Sequence, residues 1–197
     1  MKRLFDIILA IISLLILFPA LVIIAIWIML DSRGGIFYLQ NRVGKDNKDF
    51  NIFKFRSMHP GADAKGLLTV GGRDPRVSNA GYYLRKLKLD ELPQLLNILS
   101  GDMSFVGPRP EVRKYVELYN EQQMKVLEAR PGLTDYASLQ YFDENEILEK
   151  SPDPEKDYIE MIMPAKLELN LQYIRERSFL LDIRIIFQTI GKVFRSR

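Results

Sequence analysis

The feature that most restricts the fold of this sequence is an uncharged, apolar segment over residues 7–30. Ser13 and Pro19 are its only residues outside the set Ile, Leu, Val, Ala, Phe, Trp and Met. About 18 or more consecutive apolar residues are enough to cross the hydrocarbon core of a bilayer as a helix. The run is too long for a secretory signal peptide, and charged residues follow it where a cleavage site would have small ones. We therefore interpret the segment as a membrane anchor.

Two topologies fit this anchor, and the residues alone leave both open. Pro19 lies near its middle and cannot donate a hydrogen bond to the carbonyl of Leu15, so the helix should kink there. A kink is compatible with a spanning helix or with a re-entrant hairpin whose two ends lie on one side. Basic residues favour the cytoplasmic side, and they flank both ends of the segment, which suits the hairpin. They are Lys2, Arg3, Arg33, Arg42 and Lys45.

The charge distribution divides the chain into an anchor over residues 1–31 and a water-facing domain over residues 32–197. The domain has the length of one folding unit and contains no repeat or long linker. Asp6 lies among apolar residues at the start of the anchor. We expect its carboxylate at the level of the lipid headgroups, beside Lys2 or Arg3.

Composition removes several classes of chemistry. The chain contains no cysteine, which excludes disulfide scaffolds, zinc fingers and cysteine nucleophiles. His59 is the only histidine, which argues against a His-rich metal site or a Ser-His-Asp relay elsewhere in the chain. A hydrophobic content of 47% excludes disorder for most of the chain. Carboxylates, lysines, arginines, hydroxyls and a bound ion remain as agents of chemistry.

Hydrophobic periodicity predicts several helices and one small β-hairpin. Strands are predicted over 35–40 and 49–56, with a basic turn between them. A loop region rich in Gly and Pro is predicted to follow over 58–79. Helices are predicted over 82–99 with a break at Pro93, over 111–129, over 157–175 with a kink or fresh start at Pro164, and over 181–194.

The last predicted helix is amphipathic. Its apolar side carries Ile183, Ile186, Phe187, Ile190 and Phe194. Such a helix either packs on the protein core or lies in the bilayer interface, where basic residues meet anionic headgroups. The sequence gives these two interpretations comparable weight, because a membrane anchor is already present.

An adjacent pair of carboxylates, Asp90 and Glu91, stands just before a proline and just after three cations. Pro93 cannot donate to the carbonyl of Leu89, so it fits best in the first turn of a helix, with the pair at or before the helix start. Neighbouring helical side chains point about 100° apart, so one carboxylate can attack or bind a metal while the other orients. The alternative is a solvated helix face with an ion pair between Lys86 and Asp90.

Two further patches place arginines beside prolines, at Arg109 and Arg130. Arginines on a stiff backbone are good bidentate ligands for phosphate, although the prolines also suit simple helix ends. Lys54 and Arg56 alternate at the end of the second predicted strand, where the other interpretation is a solvated edge strand. Together the patches indicate an anionic substrate. The chain has no Walker A loop, no G-x-G-x-x-G motif and no Asp-x-Asp pair.

Four motifs, in this order, carry a resemblance to a known family. They are Lys-Phe-Arg-Ser-Met at 54–58, Leu-Asp-Glu-Leu-Pro-Gln at 89–94, Gly-Asp-Met-Ser-Phe-Val-Gly-Pro-Arg-Pro at 101–110 and Arg-Pro-Gly-Leu-Thr at 130–134. The chain resembles the bacterial sugar transferases, the monotopic phosphoglycosyl transferases, in their minimal small form. The resemblance covers essentially the whole chain, and the run at 101–110 is highly specific.

The resemblance implies an enzyme that moves a sugar phosphate from a UDP-sugar to a polyprenol phosphate, usually undecaprenyl phosphate, and releases UMP. It also implies magnesium as the cofactor and a covalent phospho-sugar intermediate on the enzyme. By the same resemblance Asp90 is the nucleophile, Glu91 supports it, and the metal lies near the pair. The other candidates for substrate and phosphate binding are Arg85, Arg109, Lys54, Arg56, Arg130 and Thr134.

The implied fold is α+β, with an N-terminal re-entrant membrane helix hairpin that breaks at Pro19. A compact, mostly helical cytoplasmic domain with a small β-hairpin and interfacial amphipathic helices follows it. The implied location is the cytoplasmic face of the bacterial inner membrane. Implied partners are the UDP-sugar, the polyprenol phosphate and the lipid bilayer, with no nucleic acid. The oligomeric state stays open, homo-oligomers included.

The sequence departs from the common family pattern at two places. Phe18 precedes Pro19 where many relatives have serine, so backbone groups freed at the break need other partners. Asp135 follows Thr134 where many relatives have glycine, in a stretch that we expect to contact the nucleotide sugar. The identity of the sugar is not readable from the sequence. Two other functions stay open, an inactive scaffold for glycan assembly and a hydrolase in which water resolves the intermediate.

Overall fold

A computed structural model of the chain describes residues 2–62, 66, 68–69, 74–142 and 144–195. Its strands are β1 Phe37–Val43, β2 Asp49–Phe55, β3 Ser104–Val106 and β4 Gly132–Thr134. Its α-helices are α1 Lys2–Asp31, α2 Asn79–Lys86, α3 Gln94–Ser100, α4 Arg113–Val116, α5 Glu121–Met124, α6 Tyr136–Gln140, α7 Glu144–Glu149, α8 Pro154–Asp157, α9 Met163–Glu176 and α10 Phe179–Arg195. Short 3-10 turns cover Lys45–Asn47, Leu89–Glu91 and Lys125–Glu128, and a π-helical turn covers Tyr158–Ile162. The prediction of a mostly helical α+β fold is confirmed.

The first helix, α1, has 30 residues and is long and apolar enough to cross a membrane. Pro19 lies inside it, and the helix is continuous through that residue. The helix coincides with the segment that we interpret as an anchor, and re-entry at Pro19 stays a prediction.

Both ends of α1 are fastened to the same domain by polar contacts. At the first end the Lys2 ammonium forms an ion pair with the Asp182 carboxylate of α10. At the second end the Asp31 carboxylate accepts a hydrogen bond of 3.1 Å from the backbone N–H of Ala80 in α2. The domain therefore holds the two ends of the helix at its own surface.

Asp6 is also part of this attachment. Its side chain is buried and accepts a hydrogen bond of 2.8 Å from the hydroxyl of Ser104, and another of 3.3 Å from the backbone N–H of Phe105. The expectation that Asp6 lies at headgroup level beside Lys2 or Arg3 is wrong, because its carboxylate is used inside the protein to bind β3.

The two halves of α1 pack on different parts of the domain. Ala10 belongs to the cluster that contains Met103 and Ile185, and Ile28 belongs to the cluster that contains Leu84. Between these contacts residues 18–20 are exposed. Exposed apolar surface of this extent is typical of membrane contact. It is continued along the helix by Ile11, Leu15, Ile16, Ile23 and Trp27.

The predicted β-hairpin is confirmed. β1 and β2 are antiparallel, with Phe37 opposite Phe55 at the open end and Val43 opposite Asp49 beside the turn. The first strand is longer than predicted, because the backbone N–H of Val43 also bonds the carbonyl of Glu111 at 2.8 Å and so keeps the strand extended. Because paired residues of a hairpin point to the same face, Tyr38 and Gln40 of β1 lie on the face of the sheet that carries Lys54 of β2.

A parallel pair of three-residue strands, which we did not predict, joins two of the sequence motifs. β3 pairs with β4, with Ser104 opposite Gly132 and Val106 opposite Thr134. Next to this pair the backbones at Gly107 and Gly132 approach so closely that neither position has room for a Cβ atom. The glycines thus place the loop that carries Arg109 beside the loop after Pro131.

The helix predictions are confirmed in part. The segment 82–99 is indeed broken before Pro93, and Pro164 lies in the first turn of α9. The continuous helix predicted over 111–129 is wrong. Asn120 and Gln123 form a capping box that starts α5 and so interrupts the run. The last helix, α10, forms as predicted.

Gly132→Ala should strongly reduce stability. An added Cβ would lie 2.1 Å from the backbone nitrogen of Gly107, so one of the two loops must move. We expect a loss of about 1–3 kcal/mol in the free energy of unfolding, as for an overpacked core. The matched control is Gly191→Ala in α10, where an added Cβ meets nothing within 4 Å. That change should be neutral or slightly stabilising, since alanine is the better helix former. The midpoint of thermal unfolding in detergent measures both, and equal midpoints for the two variants would contradict the packing.

Candidate active site

The carboxylate pair lies in a tight connection between α2 and α3. Lys88 adopts the left-handed conformation with a φ of 56°, which turns the chain sharply. Asp90 and Glu91 follow in a single 3-10 turn, and Pro93, with its fixed φ, is the residue immediately before α3. This local geometry agrees with the sequence argument, which placed the pair just before a helix start.

A cleft of about 660 Å³ opens at this connection. Its walls come from the β-hairpin, the connection between α2 and α3, the Arg109 loop, α6 and α10. Six of the residues singled out from the sequence as catalytic or substrate-binding carry a charge and line these walls, and Thr134 lies there with a hydroxyl. The charged residues are Lys54, Arg56, Arg85, Asp90, Glu91 and Arg109.

Glu91 is held between two cations. Arg109 grips both of its carboxylate oxygens, with Nη1 donating to Oε2 at 3.2 Å and Nη2 donating to Oε1. The Lys54 ammonium donates to Oε1 at 3.4 Å. Three segments that are far apart in the sequence therefore meet on one carboxylate. Arg109 forms a structural ion pair there and also lines the cleft.

The charges of this group shift each other's ionisation. Burial, reinforced by the neighbouring charge of Glu91, raises the pKa of Asp90 above its ordinary value. Burial alone would also raise the pKa of Glu91, but Arg109 and Lys54 together hold it well below its usual range. Burial lowers the pKa of Lys54 to about 8, against the opposing effect of Glu91. Glu91 is therefore a firmly ionised partner of two cations, and Asp90 is the carboxylate with the more basic oxygens.

Asp90 has a different environment from its neighbour. Its side chain is only 7% exposed, yet it accepts no hydrogen bond from the residues that the structure describes. The Arg85 guanidinium, whose charge favours the ionised form of Asp90, likewise has no hydrogen-bonded acceptor within the described part of the chain. A carboxylate without a hydrogen-bond donor, beside a free guanidinium in a cleft, is available for chemistry on an anionic ligand.

The donor set fits a magnesium ion. Magnesium in phosphate-processing sites usually takes one or two carboxylates and completes its shell with water and substrate phosphates. Asp90 and Glu91 are such a pair, although Glu91 would have to exchange contacts with Arg109 and Lys54. No group of three or more Asp, Glu, His or Cys side chains suited to a metal occurs among the described residues, so substrate oxygens would be needed to complete the shell.

Two of the predicted phosphate ligands differ from the rest: Arg56 lines the cleft but has its guanidinium bonded to the end of α1, and Arg130 does not line the cleft. The guanidinium of Arg56 donates to backbone carbonyls at the end of α1, with the Nη2 atom 2.8 Å from the oxygen of Ser32 and Nη1 bonded to Arg33. Its contacts therefore support a structural role in holding α1. Arg130 is not among the residues that form the walls of the cleft. Thr134 does line the cleft, and its hydroxyl shares a hydrogen bond of 2.6 Å with that of Thr189.

Asp135 itself does not line the cleft, although Ala137 and Ser138 of the same stretch do. Its carboxylate is fully buried and caps α6 by accepting from the backbone N–H of Ser138 at 2.6 Å. The second carboxylate oxygen accepts from the backbone N–H of Arg109 at 3.1 Å. The aspartate that replaces the common glycine therefore positions the Arg109 loop, and Ser138 lines the cleft instead.

Two features of the cleft were missed from the sequence. Gln40 and Arg42 extend into its wall from β1, and their spacing of two along a strand was the available signal. At the rim, the ammonium groups of Lys88 and Lys192 lie 5.0 Å and 5.5 Å from the centre of the Phe142 ring. No sequence signal links these three residues, because they come from separate elements.

The helix α10 forms the apolar wall of the cleft. Ile186, Ile190 and Val193 line the cleft from this helix, and Ile190 and Phe187 are also exposed at its outer surface. A ligand with a charged head and a hydrocarbon tail could thus place its head among the arginines and its tail along α10. The same helix packs on the protein core through Ile185, as in the core-packed interpretation, and a position in the bilayer interface stays a prediction.

Comparison with known proteins gives consistent findings. A family model described as "Bacterial sugar transferase" matches residues 1–196. A UDP-glucose:undecaprenyl-phosphate glucose-1-phosphate transferase of Escherichia coli (strain K12) is 38% identical over 98% of this chain and 40% of its own length. A UDP-N-acetylgalactosamine-undecaprenyl-phosphate N-acetylgalactosaminephosphotransferase of Aeromonas hydrophila is 37% identical over 98% of this chain and 43% of its own length. An uncharacterized sugar transferase, EpsL, of Bacillus subtilis (strain 168) is 37% identical over 98% of this chain and 87% of its own length. The chain thus spans less than half the length of the first two of these relatives.

Proposed function

The chain belongs to the bacterial sugar transferase family, and on this premise we propose that it transfers a sugar phosphate from a UDP-sugar to a polyprenol phosphate. The names of the relatives support this choice, since they act on UDP-glucose or UDP-N-acetylgalactosamine and on undecaprenyl phosphate. The observation that carries the proposal is the buried Asp90 carboxylate, which faces a cationic cleft without a hydrogen-bond donor of its own.

The reaction proceeds in two displacements at one phosphorus atom. In the first, an Asp90 oxygen attacks the sugar-bearing β-phosphorus, a new P–O bond forms, and the bond to the bridging oxygen breaks. The bridging oxygen keeps the electron pair and leaves with UMP. In the second, an oxygen of the polyprenol phosphate attacks the same phosphorus and the bond to Asp90 breaks. The product is a polyprenyl diphosphate sugar, and the Asp90 carboxylate is restored. Covalent catalysis of this kind lets one site serve a soluble donor and a membrane-bound acceptor in turn.

The neighbouring cations make this attack feasible. A carboxylate approaches a negatively charged diphosphate only if that charge is neutralised, and such neutralisation is strong in a partly desolvated cleft. Arg85 and Arg109 bind the diphosphate, a role supported by their positions in the wall of the cleft, and Lys54 keeps Glu91 ionised beside the nucleophile. Magnesium, when bound by the carboxylate pair and substrate oxygens, supplies further neutralisation of the diphosphate.

The site works at the membrane surface on the cytoplasmic side, and α1 is re-entrant with both ends on that side. Two features support this placement. The two ends of α1 are bonded to one domain, at Asp182 and at Ala80, while the middle of the helix is exposed. The helix α10 also exposes apolar residues, and Ile190 among them lines the cleft.

The topology can be tested by cysteine labelling, because the chain has no native cysteine. Leu4→Cys and Arg33→Cys change exposed residues near the two ends of α1. We expect an impermeant maleimide to label neither position in intact cells and both after lysis, as for the control Lys150→Cys in the domain. Labelling of residue 4 from outside intact cells would show a spanning helix instead.

The function is tested by UMP release from UDP-sugars with and without polyprenol phosphate. A transferase should turn over repeatedly only when the acceptor is present, and the lipid product should carry the sugar. Repeated UMP release without acceptor would indicate the hydrolase, and no release with any UDP-sugar would indicate the scaffold. A panel that includes UDP-glucose and UDP-N-acetylgalactosamine then identifies the sugar.

A further inference from the structure

Arg42 of β1 lines the wall of the cleft, but its guanidinium is used for contacts within the protein. Its Nε and Nη2 atoms donate to Oε1 of Gln40 at 3.1 Å and 2.7 Å. Its Nη1 atom donates to the backbone carbonyl of Pro110 and to Oε1 of Glu111, at 3.1 Å in each case. All three nitrogens thus have acceptors in the protein, and the side chain is only 18% exposed. The guanidinium therefore connects β1 to the loop that carries Arg109.

The loop over residues 107–111 is held by hydrogen bonds at its backbone. Its two prolines have no N–H group, so fewer backbone groups remain to fasten it. On one side of Arg109, the N–H of that residue donates to the Asp135 carboxylate at 3.1 Å. On the other side, the Pro110 carbonyl accepts from the Arg42 guanidinium. Two charged side chains, those of Asp135 and Arg42, therefore hold the loop on opposite sides of Arg109.

Glu111 fixes the guanidinium of Arg42 in turn. Its Oε1 atom also accepts from the backbone N–H of Val112 at 2.8 Å, and its Oε2 atom accepts from the hydroxyl of Tyr158. Its backbone carbonyl accepts from the N–H of Val43, the neighbour of Arg42, at 2.8 Å. Arginine suits the centre of these contacts, because its planar guanidinium reaches several acceptors at fixed angles and the single ammonium of lysine does not. Exchange for lysine would keep the charge beside Glu111 but loosen the loop.

The position of this loop matters because the Arg109 guanidinium makes two hydrogen bonds to the Glu91 carboxylate, next to Asp90 in the chain. Displacement of a binding group by about 1 Å can cost about a hundredfold in rate, even when the altered residue is remote from the chemistry. We propose that Arg42 is a positioning residue for Arg109. It holds the Pro110 carbonyl so that the guanidinium meets Glu91 and the diphosphate. The inference rests on the proposed transfer from a UDP-sugar.

The test is a double-mutant cycle on the full chain in detergent, with Arg42→Lys introduced into the unaltered protein and into the Arg109→Lys variant. The measured quantity is kcat/KM for acceptor-dependent UMP release, per folded protein, with the UDP-sugar that the panel identifies. In the unaltered protein, Arg42→Lys should lower kcat/KM about tenfold or more, because Arg109 is displaced. In the Arg109→Lys variant the paired geometry is already lost, so the same change should cost less than about threefold.

The matched control for this cycle is Arg113→Lys. That arginine bonds Asn47 and Asp49 outside the cleft, so its exchange should change kcat/KM by less than about twofold in either background. Thermal unfolding checks that each variant is folded. If Arg42→Lys is not folded, Glu111→Gln takes its place, since it weakens the same ion pair with little change of shape, and the same dependence on Arg109 is expected.

Two results would overturn the proposal. Equal losses of kcat/KM in the two backgrounds would show that Arg42 acts independently of Arg109, as a direct phosphate ligand would. An unchanged kcat/KM in folded Arg42→Lys would show that the loop keeps Arg109 in place without this guanidinium. Failure of the proposed function is seen separately, because the unaltered protein would then show no acceptor-dependent release of UMP.

Discussion

Asp90→Asn is expected to abolish turnover, with a loss of at least about a thousandfold in the rate of UMP release, as when the nucleophile of a covalent enzyme is removed. The amide has nearly the shape of the carboxylate but lacks its charge and nucleophilicity. Because Asp90 accepts no hydrogen bond from the described residues, its replacement breaks no hydrogen bond seen in the structure. The thermal unfolding midpoint should therefore fall little. Release of UMP and incorporation of labelled sugar phosphate into the protein are the two measurements.

The matched control for this variant is Asp102→Asn. Asp102 is an exposed carboxylate in the turn after α3, where it accepts a hydrogen bond of 2.6 Å from the hydroxyl of Ser100. We expect a small loss of stability from this change and activity in proportion to the folded protein. If Asp90→Asn still forms the labelled adduct, the assignment of the nucleophile is wrong. Glu91→Gln should slow turnover as well, since it would leave Arg109 and Lys54 without their shared anion.

Arg109→Lys is expected to reduce activity by about ten- to a hundredfold. Arg109 lies between two prolines that stiffen its backbone, and its guanidinium makes two parallel hydrogen bonds to the Glu91 carboxylate. A lysine retains the charge but cannot reproduce the paired geometry on a carboxylate or a phosphate. Loss of one charge-assisted hydrogen bond is worth about 1.5–3 kcal/mol, which gives this range if it acts on the transition state.

The role of Arg109 can be separated from a purely structural one by measuring stability and ligand protection. If the guanidinium binds phosphate, the variant should unfold near the normal temperature and gain less protection from added UDP-sugar. If it only holds the loop through Glu91, the unfolding temperature should fall and activity should follow the amount of folded protein. Arg113→Lys is the control, because that arginine bonds Asn47 and Asp49 outside the cleft. Full activity in folded Arg109→Lys would remove Arg109 from the site.

Local rules explain why the carboxylate pair and the hairpin could be predicted. Pro93 restricts its own backbone and cannot donate to Leu89, so the position of Asp90 before α3 follows from a few residues. The alternation over 49–56 likewise sets the face of β2 without reference to the rest of the chain. The local structure could be predicted from the sequence wherever one residue, such as Pro93, or a short alternation of polar and apolar residues determines the backbone geometry.

The remaining parts depend on contacts between distant segments. The pairing of β3 with β4 involves strands too short to show a period, and the grip of Lys54 and Arg109 on Glu91 joins three separate motifs. Arg56 illustrates the same limit, because an arginine at a strand end can bind a phosphate or the carbonyls of a helix end. Only the position of α1 decides between these roles, and it places backbone carbonyls of residues such as Ser32 within hydrogen-bond distance of the Arg56 guanidinium.

The most direct test of the proposed mechanism is the mass of the intact protein after incubation with a UDP-sugar and magnesium in the absence of acceptor. The mechanism predicts a mass increase equal to one sugar phosphate, located on Asp90 by peptide mapping, with one equivalent of UMP released. Addition of polyprenol phosphate should remove the added mass and yield the lipid-linked sugar. Release of UMP that requires both substrates together, with no covalent adduct at any time, would contradict the mechanism.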